Sequence, residues 1–389
     1  MKPFAGWRSS RNLRGYSMAE AQTTLSVILP RYVIGPEAYA ALSDILKPLG
    51  RRVLLIGGEK ALAAGQEPFE KASGGLGVSV TVHTHRGECT IENAQALALK
   101  AREDHVEIIA GMGGGKAIDT AKACAHFAGL PVITFPTIAA TCAAVTALSV
   151  MYHTDGAFDK FLFLNKPPEC AFIHTGVVAK APAKYLRAGM GDAIAKYFES
   201  GFSSRNDVPG YKDALGLSIA RTCYEPLQRL GEKALCDCES GMDSPEFREA
   251  VQSVIVSTGL VSLLVREEFN GALAHSLYYA LEDLPQIKAC LHGDVVAWGA
   301  LVQLLMDGQE EKAKEVLHLL KRLKTPVTLH EMGLDTASPV FIAAVGNVPG
   351  QPDMRHLPYQ VTGQMVLNAV QKLEDRYGFD RGAPDCLPT

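Results

Sequence analysis

The 389-residue chain is 47% hydrophobic and 21% charged, an ordinary globular composition with enough material for two or three packed cores. A net charge of -4 and a pI near 6.3 leave no electrostatic footprint for nucleic acid or an anionic membrane, and no apolar run is expected to reach the roughly 20 residues that span a bilayer. Nine cysteines, odd in number and irregular in spacing, do not make a disulfide framework, so the expected setting is a reducing cytoplasm and the expected partner a small molecule.

Residues 1–23 read as an extension without fixed structure. Arg8, Arg11, Arg14, several serines and no acid in the first 18 residues fit an organelle transit sequence or an unstructured leader before an internal start at Met18. Core patterning starts near Leu25, with short extended segments expected at 26–30 and 32–35 and a helix at 37–49. Apolar strands are then expected at 52–58, 78–84, 106–110 and 132–135, separated by helical patterns at 60–72, 90–103 and 116–128. This alternation predicts an α/β domain over 24–181 with a doubly wound, Rossmann-like parallel sheet.

After Pro136, the segments Leu148–Tyr152 and Phe161–Leu164 flank an Asp155-Gly156 turn and predict a hairpin on the sheet's edge, followed by a strand at 171–174. Beyond Ala181, helical segments succeed one another at 192–200, 213–227, 244–267, 271–282, 294–305, 310–323, 339–345 and 362–376, so 182–389 reads as an all-helical domain. A ligand is expected between the two halves, over the carboxyl ends of the strands.

The stretch Ile108 to Lys122 runs from an apolar strand through Gly111-Met112-Gly113-Gly114-Gly115-Lys116 into a helix. Glycines at a helix N-terminus expose backbone N–H groups to a phosphate without an intervening Cβ. The dinucleotide fingerprint G-x-G-x-x-G fails at Lys116, and the P-loop pattern fails at Ala110 and Ala117. The pattern therefore fits a phosphate cradle and also an ordinary tight strand-to-helix connection. In the second half, Asp192 follows Gly189-Met190-Gly191 and reads by itself as a helix N-cap. His275 on an apolar segment reads as a core histidine, and His292 before the next helix as a cap. Together, one carboxylate and two imidazoles are also a donor set for a divalent metal with a position left open for substrate.

The run Gly113-Gly114-Gly115-Lys116-x-Ile118-Asp119-Thr120-Ala121-Lys122, with Phe135-Pro136-Thr137, Ala147-Leu148-Ser149-Val150, Ala179-Lys180-Ala181-Pro182, Gly189-Met190-Gly191-Asp192-Ala193 and His292-Gly293, resembles the iron-containing alcohol dehydrogenase family in its glycerol dehydrogenase branch. The likeness runs from about residue 25 to the C-terminus and implies a dehydroquinate synthase-like architecture, a CH–OH dehydrogenase activity and, commonly, a homo-oligomer. By matching motifs it assigns the pyrophosphate of NAD or NADP to Gly113, Gly114, Gly115 and Lys116, with Asp119 close by. Thr137, Ala140, Thr141, Thr146, Leu148 and Tyr152 fall on the nicotinamide side, and Asp192, His275 and His292 on the metal.

Three positions depart from the branch's pattern. Cys142 stands where glycerol dehydrogenases carry a substrate-binding aspartate, and a thiol is a poor hydroxyl acceptor. Lys196, one helical turn after Asp192, takes the place of a further histidine ligand of many iron enzymes, which favours Zn²⁺ over Fe²⁺. Losing an acid and gaining a base predicts a 2-hydroxy or 2-oxo carboxylate as substrate, a choice also resembling the hydroxycarboxylate dehydrogenase subgroup; Cys142 as packing and Lys196 as a solvated lysine are the plain alternatives. Gly58 lacks the acid that binds the ribose 2′-OH in NAD-specific relatives, which opens the site to NADP. The competing functions are a glycerol dehydrogenase and, more distantly, a metal- and NAD-dependent cyclase of the dehydroquinate synthase type. Against the cyclase stands the lack of a Lys and Arg cluster for a phosphorylated sugar.

Overall fold

The computed structural model describes residues 26–377, so the expectation for residues 1–23 lies outside the described residues. Six parallel strands form one sheet: β1 (Tyr32–Gly35), β2 (Arg52–Gly58), β3 (Ser79–His85), β4 (Ile108–Gly113), β5 (Val132–Pro136) and β8 (Cys170–His174), in the spatial order β1-β8-β5-β4-β2-β3. The segment 26–30 is not a strand; Pro30 has no N–H to give a ladder, and pairing starts only at Tyr32.

The central strands β2, β4 and β5 are buried on both faces because their alternating residues meet different helices. Val53, Leu55, Ile108, Ala110 and Met112 pack with Leu42, Ile45 and Leu46 of α1 (Leu42–Leu49) and with Leu62 and Phe69 of α2 (Glu59–Ser73). Leu54, Ile56 and Ile109 face Leu97, Ala98 and Ala101 of α3 (Ile91–Glu103) and Ala121, Cys124 and Ala125 of α4 (Gly115–Ala128). Such two-sided burial explains the near-continuous apolar runs in the sequence. The chain leaves β2 toward one edge and β4 toward the other, so the crevice between their carboxyl ends, at Gly58 and Gly113, is the switch point where open α/β sheets hold ligands.

The hairpin forms from β6 (Leu148–Tyr152) and β7 (Phe158–Phe163), but it does not lie on the sheet's edge. It is a separate two-stranded sheet on the outer side of α4, where the Ser149 hydroxyl donates to the Asp119 carbonyl at 3.0 Å and the Val150 N–H donates to the Asp119 carboxylate at 3.2 Å. These side-chain ties, invisible to strand patterning, decide where it docks.

After α5 (Thr175–Val178) the chain is helical: α6 (Lys184–Ser203), α7 (Tyr211–Glu239), α8 (Pro245–Gln252), α9 (Thr258–Leu264), α10 (Leu273–Leu281), α11 (Pro285–Lys288), α12 (His292–Met306), α13 (Glu310–Arg322), α14 (Pro339–Gly346) and α15 (Gly363–Tyr377). A π-helical turn, Ser253–Ser257, joins α8 to α9, giving a helical stretch Pro245–Leu264 long and apolar enough to cross a bilayer, contrary to the expectation of none. Phe247, Val251, Ile255 and Val261 of that stretch are fully buried, so its apolarity serves the core. At the centre lies α12, buried on every side from Gly293 to Leu305. Its core continues through Met190 and Ile194 of α6 to Ala139, Ala171 and Ile173 of the α/β half, so the two halves share packing.

Candidate active site

At the sheet end of the cleft, Gly113 takes φ +145°, a conformation L side chains rarely adopt, as the chain turns from β4 into α4. Gly114 is the N-cap of α4 and no side chain caps the helix, which leaves its first N–H groups facing out of the sheet. Space for a ligand exists there: a Cβ on Gly58 would meet nothing within 4 Å, and one on Gly115 would find only the Thr141 hydroxyl at 3.5 Å. Thr137 N–H donates to the Gly113 carbonyl at 3.1 Å, tying the loop that carries Thr137, Ala140 and Thr141 to the glycine turn. Lys116 forms a 2.6 Å ion pair with Glu88 and lies 5.8 Å from the centre of the Tyr152 ring. The glycine turn, Gly58 and the Thr137–Thr141 loop thus lie together at the carboxyl ends of β2, β4 and β5, with Tyr152 beside Lys116 and with Thr146 and Leu148 leading into the hairpin. Asp119 is placed differently: it is 5% exposed, and its carboxylate is committed to Lys122 and the Val150 N–H.

In the helical half, three ligand atoms from three helices converge. Asp192 (α6), His275 (α10) and His292 (α12) each present one atom, all within 4.8 Å of one another. His275 Nε2 lies 3.5 Å and His292 Nε2 3.9 Å from the same oxygen of Asp192. Ligands about 2.0–2.1 Å from a tetrahedral ion stand roughly 3.3 Å apart, so the three atoms are grouped for one ion in a shell somewhat wider than a closed tetrahedral one. Asp192 is not the expected N-cap, and His292 caps nothing: α6 starts eight residues before Asp192, at Lys184, and the N-cap of α12 is Leu291. The glycines that resembled a helix start are helix-interior contacts. A Cβ on Gly189 would overlap the Ala139 carbonyl oxygen, one on Gly191 would stand 2.5 Å from the Gly293 oxygen, one on Gly293 would overlap Ala188, and one on Gly299 would sit 2.8 Å from Ala274. These close approaches set the spacing of α6, α10, α12 and the Thr137–Thr141 loop.

Sequence reading missed Glu199. Two helical turns beyond Asp192 on the same face of α6, it is fully buried, with Oε2 2.5 Å from His275 Nδ1 and Oε1 accepting the N–H groups of Ala272 (2.9 Å) and His275 (2.8 Å). Holding Nδ1 leaves Nε2 to face Asp192, the usual way a ligating histidine is fixed. The only signal in the sequence was a carboxylate seven residues after Asp192.

Electrostatics match a cation at this point. Burial acts to raise the pKa of Asp192, but the His275 hydrogen bond and the neighbouring His292 hold it at about 2. Burial acts to lower that of His275, yet Glu199 and Asp192 raise it to about 10; for His292, burial prevails and lowers it to about 4. The His275 imidazolium and Lys196 hold Asp192 and Glu199 ionised, and a divalent ion would take over that positive charge as His275 gives up its proton to ligate.

Lys196 is not a solvated lysine: it is 8% exposed and donates to the Asn270 carbonyl. Cys142 borders the same region, and burial, with Asp192 adding to it, pushes its thiol up to about 12, so it stays uncharged. Asp353, also absent from the sequence reading, rests its carboxylate against Gly271, and burial raises its pKa. Tyr278 meets the His292 ring edge-on at 4.3 Å, and Tyr279 lies between His275 (6.2 Å) and Phe158 of the hairpin (6.1 Å), so β7 reaches across the cleft to the metal-site helix.

Residues 30–175 match the family model described as iron-containing alcohol dehydrogenase. Glycerol dehydrogenase of Escherichia coli O6:H1 is 33% identical over 355 residues, covering 90% of this chain and 95% of its own length. The chain belongs to the iron-containing alcohol dehydrogenase family. Within that family it is also 32% identical to hydroxycarboxylate dehydrogenase A of Escherichia coli K12, over 88% of this chain and 97% of that protein. Among solved structures, a probable glycerol dehydrogenase from Sinorhizobium meliloti 1021 superposes with a TM-score of 0.80 at 26% identity, covering 91% of this chain and 99% of that one. The α/β sheet followed by a helical half is the architecture this chain has in common with that solved structure, and the family's NAD-linked oxidoreduction at CH–OH groups with a divalent metal applies to this chain.

Proposed function

We propose that this iron-containing alcohol dehydrogenase relative uses zinc and NAD(P) to interconvert small 2-hydroxy and 2-oxo carboxylates in a reducing cytoplasm. The observation that carries the dehydrogenase reading is the convergence of Asp192, His275 and His292 within 4.8 Å. Zinc is favoured because three protein ligands meet here and the next turn of α6 presents Lys196 in place of a fourth. The open space at Gly58 supports acceptance of a 2′-phosphate, hence of NADP. Eight described cysteines are free thiols, in keeping with a reducing compartment.

A divalent ion bound here would supply polarisation of the substrate oxygen, and a bound nicotinamide would supply hydride chemistry at the adjacent carbon. The chain's own residues supply placement. Asp192, His275 and His292 are the holders of the ion, with Glu199 fixing the His275 ring. The N–H groups at the start of α4 receive the pyrophosphate. Phe158, Tyr278 and Tyr279 close the cleft against water, which strengthens charge interactions inside it.

The carboxylate preference rests on Lys196, a buried ammonium on the stripe of α6 that carries Asp192, beside an uncharged Cys142. Glycerol oxidation is the second reading, favoured by Asp353, a buried acid close enough to His275 and Lys196 to feel their charge and able to accept a hydroxyl hydrogen bond. Steady-state rates with 2-oxobutyrate and 2-oxoglutarate plus NADH or NADPH, against glycerol plus NAD⁺ or NADP⁺, separate them. Efficient glycerol turnover without oxoacid reduction would overturn the carboxylate reading.

A further inference from the structure

One buried cation has no part in the chemistry above. The Lys122 side chain, on α4, has no solvent exposure; its Nζ stands 2.8 Å from Asp119, donates to the Thr146 hydroxyl at 3.1 Å and donates to the Leu148 carbonyl. Asp119, one turn earlier on the helix, accepts the Val150 N–H at 3.2 Å with its other oxygen, while its backbone carbonyl accepts the Ser149 hydroxyl at 3.0 Å. Every one of these partners beyond the ion pair lies in 146–150, the segment that enters and forms β6.

A buried ammonium persists only where its charge and its N–H groups are matched, and here both are matched by the hairpin and by Asp119. The hairpin needs such a hold, because an isolated two-stranded sheet is marginal and this one shares no ladder with the main sheet. The helix that provides the hold opens at Gly115, in the glycine turn. One rigid rod therefore carries the phosphate-binding N–H groups at its tip and the hairpin's anchor one and two turns along.

We propose that Asp119 and Lys122 are positioning residues: their ion pair fixes the Thr146–Tyr152 wall at a set distance from the phosphate end of α4, so that the nicotinamide ring is presented to the metal. This rests on the reading that the cofactor lies along this crevice, and it gives Asp119 a role behind the cofactor wall instead of on it.

The test uses the full-length metal-loaded enzyme and its K122M variant, which keeps the length of the side chain and removes the charge. Three readouts are taken: metal affinity by chelator competition, NADH and NADPH dissociation constants by nicotinamide fluorescence, and cofactor KM and kcat with the oxoacid or polyol the wild type turns over. The expected result is metal affinity within twofold of wild type, cofactor affinity weakened at least tenfold, and kcat lowered. A K122M enzyme that binds and uses the cofactor as wild type does overturns the proposal. Should K122M not fold, S149A removes only the hydroxyl tie. Faster amide exchange across 146–152 with a two- to fivefold rise in cofactor KM then supports the pin, and unchanged exchange and KM overturn it. Failure of the wild type itself to bind NADH or NADPH would instead bring down the dehydrogenase reading, leaving the two outcomes distinct.

Discussion

The two ends of the cleft bind by different means. The cofactor end is made of backbone: glycines, uncapped N–H groups and the switch point between β2 and β4, all contributed by a few contiguous stretches. The metal end is made of side chains brought together from α6, α10 and α12, whose spacing depends on glycines 189, 191, 293 and 299. A backbone site tolerates side-chain changes that do not fill it, whereas a side-chain site fails at one atom. Substitutions at the two ends should therefore separate cleanly.

The largest effect is expected at the metal end. His275→Ala removes one of three ligands and leaves Asp192 and Glu199 facing each other's charge, so metal stoichiometry by atomic emission should fall to near zero and kcat/KM by on the order of a thousandfold or more, while NADH binding persists. Gly293→Ala comes next: its Cβ overlaps the Ala188 carbonyl between two packed helices, and overpacking of this kind costs about 1–3 kcal/mol, measurable as a lowered melting temperature together with weakened metal binding. If Gly293→Ala is as stable and as well metallated as wild type, close helix approach does not set the site.

Glu199→Gln sharpens the contrast, since it keeps the shape and loses the charge behind His275. Metal affinity should drop about 10–100-fold in chelator competition, with the cofactor dissociation constant unchanged. The smallest effect is expected at the backbone end. Gly58→Asp fills open space with an acid, which should raise the KM for NADPH about tenfold, leave NADH within a few-fold and leave the metal untouched. A Gly58→Asp enzyme with unaltered cofactor preference would place the ribose elsewhere.

The same contrast explains what the sequence made legible. Strands β2, β4 and β5, the helices between them and the glycine turn were readable because local periodicity and a local turn define them. His292 lay in a quoted motif and the family resemblance assigned both histidines to the metal, whereas by position alone His275 read as core and His292 as cap; α6, α10 and α12 side by side show the convergence itself. Glu199 and Asp353 carry no local signature; each matters through a partner 76 or more positions away or a loop from another helix. The part Lys122 plays is not legible in its own motif, because the residues it holds, 24 and 26 positions on, belong to a hairpin that docks against that very lysine. The start of α6 was missed because glycines that permit helix contact look, in sequence, like glycines that end helices.

The central claim is that a carboxylate and two imidazoles share one ion, and X-ray absorption on the zinc-loaded protein addresses it most directly. The account predicts one zinc per chain with two imidazole nitrogens at about 2.0–2.1 Å and oxygen ligands at about 2.0–2.2 Å, the imidazole signal falling to one ring in His292→Ala. A zinc shell of oxygens alone, or of sulfur, or an imidazole signal that His292→Ala leaves intact, would contradict it.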